Sequence, residues 1–84
     1  MAYGPFHTDR DDPERAVKFG ELRALVRIVA GPTGTDAVAA LTAAMADPSA
    51  ARIDAARHAV EALRPKTYRR VMATYAYLRR EART

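Results

Sequence analysis

The chain has no cysteine and no tryptophan, only two phenylalanines among its 84 residues, and a single serine, Ser49. Without cysteine there are no disulfides and no thiolate chemistry, and the redox compartment is left open. With so few large aromatics, the core must be economical or completed by a partner, because a domain this small buries only about 60–65% of its unfolded surface. The first ten residues, Met1 to Arg10, lack the basic region and apolar run of a signal peptide. The longest apolar stretch, residues 24–30, is interrupted by Arg27 and is far short of a membrane span. The expectation is a cytoplasmic protein with no membrane partner. Strand signals are missing too: there is no alternating β-branched run and no hairpin turn between apolar segments.

What is present is alanine, arginine and helical periodicity. Arginine outnumbers lysine twelve to two, a bias that follows GC-rich coding and weakens any argument from arginine number alone. Placement says more. Residues 1–21 carry about −2, residues 22–63 are neutral, and residues 64–84 carry +6, within a total of +4.

Residues 1–12 read as an irregular acidic arm, with Gly4, Pro5 and the cluster Asp9, Asp11 and Asp12. Residues 13–84 read as one domain. Asp12 followed by Pro13 is a helix start, and Phe19, Leu22, Leu25, Val26 and Val29 recur on one face over 13–30. Val17 and Ile28 fall on the opposite side, as they would in a helix that is buried on two faces or that meets a second chain. Gly31-Pro32-Thr33-Gly34 ends that helix, with Thr33 or Thr35 available to cap the next. A second helix over 36–46 presents Val38, Leu41 and Met45 among alanines that permit close approach. Asp47-Pro48 reads as another start, for a helix over 48–63 with Ile53, Ala56, Val60 and Leu63 inward. Pro65 opens the last helix, 65–82. The expected fold is all-α, a compact bundle of about four helices.

Asp47-Pro48 followed by Arg52, Ala55, Ala56 and Ala59 resembles the middle of a HEAT-type helical hairpin, in which a tight Asp-Pro turn precedes an alanine-rich helix. Similar hairpins occur in small bacteriophage packaging proteins. The likeness covers about a third of the chain and reverses the usual order at Arg52-Ile53. One hairpin makes no solenoid, which needs about three repeats. The resemblance implies packing, and no function.

Three constellations invite a chemical reading. Gly31 and Gly34 match the bare Gly-x-x-Gly of KH domains, but the strands that fold needs are missing and the loop has no cation; the Gly-Lys-Ser/Thr ending of a P-loop is missing as well. Asp54, His58 and Glu61 share an outward strip that has the donors for a metal or for acid–base work, but a single exposed helix offers no pocket. Ser49 sits at a helix start, where capping is the better account. No catalytic residue, metal, cofactor or small-molecule substrate is expected.

The third constellation is on the last helix. Tyr68, Val71, Met72, Tyr75 and Leu78 converge on one face and are expected in or beside the core, with the tyrosines at its margin. Lys66, Arg69, Arg70, Tyr77 and Arg80 fall on the opposite face. Six net charges over residues 64–84 exceed what solubility requires. The strip suits nucleic-acid backbone, with Tyr77 stacking on a base or packing on a sugar. The competing expectation is a homodimer or an acidic protein partner. The terminal arginines also have a simpler role at the negative end of the helix dipole. The acidic arm is a further claimant, since it could fold over the strip and neutralise it.

Overall fold

Four α-helices make up a computed structural model that describes residues 14–82: α1 (Arg15–Ala30), α2 (Thr35–Ala46), α3 (Ala50–Glu61) and α4 (Pro65–Ala82). The all-α bundle is as expected. The arm, and with it Asp12 and Pro13, lies outside the described residues. Within them α1 begins one residue after Glu14, whose carbonyl accepts from the Lys18 amide at 2.8 Å.

α1 and α2 are joined by a 3-10 turn, Gly31–Gly34, and only Gly31 takes a positive φ, 57°. At that φ a side chain would be strained, and the Gly31 amide closes α1 by donating to the Arg27 carbonyl. The threonines do not cap α2. Thr33 and Thr35 instead donate backward to the Ala30 and Pro32 carbonyls, at 2.7 and 2.9 Å. The run Arg15–Ala46 is long and apolar enough to pass for a membrane span by composition. It is broken at this turn, and its two halves pack against each other.

The start of α3 differs from the sequence expectation. Asp47 ends α2 in extended geometry, and Ser49 is the N-cap, its hydroxyl accepting from the Arg52 amide at 3.3 Å. Asp47 is occupied elsewhere, accepting from the Arg52 guanidinium at 3.0 Å. Proline before the cap, rather than in the first turn, shortens the helix by two residues. Ser49 therefore caps.

α1 is the central element: α2 and α4 both pack on it, and α3 packs on α2. α4 follows α3 directly in sequence but lies chiefly on α1. The core joins Phe19, Leu22, Leu25 and Val26 of α1 to Ala37, Leu41 and Ala44 of α2, Ala56 and Val60 of α3, and Val71 and Tyr75 of α4. On α2 and α3 the deepest positions belong largely to alanine, which lets the helices approach closely; Val38, Met45 and Ile53 are half-buried around them.

α4 corrects two expectations. Tyr75 is buried rather than marginal, and Leu78 is 40% exposed rather than core. The cause is a rotation of the inward direction along the helix. Over its last turns the residue that meets α1 is Arg79, whose guanidinium pairs with Glu14 at 2.9 Å and Glu21 at 3.1 Å. With Arg79 aimed at α1, Leu78 one position earlier points about 100° away.

Candidate functional site

The polar strip on α3 is a local charge ladder. Arg57 pairs with Asp54 and, at 3.3 Å, with Glu61, while His58 Nδ1 lies 3.6 Å from Asp54. The hydrogen bond from Arg57 holds the Asp54 carboxyl below the usual carboxylate range; burial opposes it, and the charges of His58 and Arg57 add smaller lowering effects through space. A depressed carboxylate contributes its stabilisation above the ordinary carboxylate range and loses it as pH falls below that range. Both acids are engaged by an arginine. Among the described residues no group of three or more His, Cys, Asp or Glu side chains could hold a metal.

A hollow of about 210 Å³ opens between the start of α2 and the end of α3, walled by Ala37, Ala59, Ala62 and Leu63 and lined also by Asp36 and Arg64. Its one hydroxyl, on Thr33, is spent on the Ala30 carbonyl. Nothing in it is set up as a nucleophile or as a proton donor and acceptor pair. Gly31 and Gly34 form the turn just described, and Gly34 is buried, so that backbone offers no open cradle for a phosphate.

On α4 the five residues singled out from the sequence share one face of the helix. Lys66, Arg69, Arg70, Tyr77 and Arg80 are all exposed, Tyr77 by 53%. Helical spacing places the five within about 100° of arc, along roughly 21 Å of the helix. None of the four cations has an ion pair or a side-chain hydrogen bond among the described residues. Pro65 and the packing of Val71 and Tyr75 against the core fix which way this face looks.

Arg79 behaves differently, and its role was not legible from spacing alone. Burial works against its charge, but Glu21, Tyr75 and Glu14 together outweigh that, and the guanidinium pKa is raised. It is a tie between α1 and α4, not a member of the strip. Glu14 reaches the basic helix at Arg79, outside the strip. Asp9, Asp11 and Asp12 lie outside the described residues.

A second charged residue escaped the pattern reading. Arg15 is buried. Its position four residues before Phe19, on the line that continues through Leu22 and Val26, was the available signal, since that line is the core face of α1.

Two apolar side chains stand out on α1, Ile28 at 79% and Val17 at 56% exposure. Eleven residues apart, they lie within about 20° on one face, with exposed Ala24 between them. Comparison with protein-family models, curated proteins and solved structures finds no significant match to the chain.

Proposed function

We propose that this protein is a non-enzymatic binding module that holds nucleic-acid backbone on the outer face of α4. The observation that carries the reading is the open strip: Lys66, Arg69, Arg70 and Arg80 exposed on one line, with no anionic partner among the described residues. Cations held this way attract a polyanion chiefly by releasing its condensed counterions, a mechanism that is strong at low salt and indifferent to sequence. Four contacts give a slope of log affinity against log salt of about −2.8 to −3.6, hence a loss of about 50- to 150-fold over a fourfold rise in salt. Gel shifts across a salt series test this. The variant R69E/R70E/R80E is expected to bind at least about 100-fold more weakly at moderate salt. Binding that ignores salt, or survives the charge reversal, would sink the proposal.

A second reading rests on a different face. Ile28 and Val17 expose apolar surface on α1 that the bundle leaves uncovered, which favours self-association or a protein partner. Light scattering at two concentrations is the check. A mass that rises with concentration and falls back in Ile28→Glu supports a homodimer through α1; a monomer at both concentrations ends it.

A further inference from the structure

We infer that the α4 strip takes single-stranded rather than duplex nucleic acid, with Tyr77 as the platform on which one unstacked base lies. This rests on the nucleic-acid reading of the strip and narrows it to one form of the ligand.

Tyr77 is an aromatic ring set among cations. It shares the line of Lys66, Arg70 and Arg80 and is 53% exposed. No hydrogen bond of its hydroxyl occurs among the described residues. Helical side chains lean toward the helix N-terminus, so the ring covers the turn before it, which holds Ala73 and Thr74. Both neighbours leave it room. Ala73 ends at Cβ, and the Thr74 hydroxyl is turned onto the Arg70 carbonyl at 2.8 Å. By that lean one ring face lies toward the helix and the other toward solvent, bordered by Arg80 and Glu81 of the following turn. Arg69 and Arg70 stand about two turns to its N-terminal side and Arg80 about one turn to the other.

A duplex cannot use that arrangement. Its base faces are stacked on one another, and an aromatic side chain reaches them only by wedging a step apart, at a cost of a few kcal/mol. A single strand presents its base faces freely, and each base that stacks on an aromatic side chain adds to binding whatever its identity. The flanks of the strip point the same way. A helix reading a major groove carries polar base-reading side chains; here Ala73, Ala76 and Leu78 stand around Tyr77, and the polar side chains among them are the cations of the strip, Glu81, and Thr74, whose hydroxyl is spent on the Arg70 carbonyl. The strip is also short. At about 21 Å it matches on the order of four nucleotides of extended strand, the lower end of the range for one compact binding surface.

The test measures anisotropy of a labelled single strand of about ten nucleotides and of the matching duplex, a length suited to one such surface. The proteins are the wild type, Tyr77→Ala, Tyr77→Phe and R69E/R70E/R80E. The expected result is tighter binding of the single strand. Tyr77→Ala should lose roughly 5- to 150-fold on the single strand and little on the duplex. Tyr77→Phe, which keeps the ring, should stay near wild type. Duplex binding equal to or tighter than single-strand binding overturns the inference. So does a Tyr77→Ala variant that holds the single strand as the wild type does. If R69E/R70E/R80E still abolishes binding in those cases, the backbone reading stands without it. If the wild type binds neither probe, both fall.

Discussion

Phe19→Ala is expected to lower the free energy of unfolding by about 3–5 kcal/mol, read from urea melts followed by circular dichroism. Phe19 is the largest fully buried side chain among the described residues, and it sits on α1, the helix against which both α2 and α4 pack. Removing the ring leaves a cavity among Leu22, Leu41, Val71 and the other members of one contiguous cluster. Little can fill it. The neighbouring core positions on α2 and α3 are largely alanine, whose side chains have no rotamer to swing inward. A chain of this length has about 4–13 kcal/mol to lose in total, so the substitution is expected to leave a large unfolded fraction. Phe19→Leu keeps most of the volume and should cost about 1 kcal/mol. If the alanine variant cost no more than the leucine variant, the cluster around Phe19 would not be the core on which the four helices depend.

The same economy explains what the sequence could and could not disclose. The helices were legible because proline and glycine punctuate the chain between successive helices, and because Phe19, Leu22 and Val26 repeat at a helical period. The strip on α4 was legible for a related reason. An exposed face needs no knowledge of any other element, so the period of one helix was enough to gather Lys66, Arg69, Arg70, Tyr77 and Arg80. Long-range facts were not recoverable in this way. Arg79 and Leu78 are adjacent in sequence, and which of them turns inward depends on Glu21, 58 residues from Arg79. For α3 the sequence offered two caps, Asp47 before Pro48 and Ser49; serine takes the role, and Asp47 accepts from the Arg52 side chain instead. Whether the strip receives a ligand is a question the packing does not answer, since a solvated face and a binding face have the same period.

Gly34→Ala is the second substitution with a large expected effect, and it can be set against Gly20→Ala, the same change with the opposite sign. A Cβ on Gly34 would lie 2.6 Å from Val26 Cγ1 and 2.9 Å from the Ala30 Cβ. Val26 is fully buried, and a valine in a helix has one strongly preferred rotamer, so it cannot turn aside. Relief would require α2 to move off α1 at the turn that joins them. The expected loss is about 1–3 kcal/mol for alanine, and more for Gly34→Val. At Gly20, in the interior of α1, a Cβ would meet only the end of the flexible Met45 side chain at 3.6 Å, an ordinary contact. There alanine is expected to stabilise by about 0.5–1 kcal/mol through helix propensity. Thermal melts of the two variants should move in opposite directions. The clash itself can be isolated by adding Val26→Ala, which removes the Cγ1 atom. In a double-mutant cycle the combined loss should fall short of the sum of the single losses by about 0.5–3 kcal/mol. Additive losses would place the cost of Gly34→Ala in the contact with Ala30 or in the backbone of the turn rather than in the approach to the Val26 side chain.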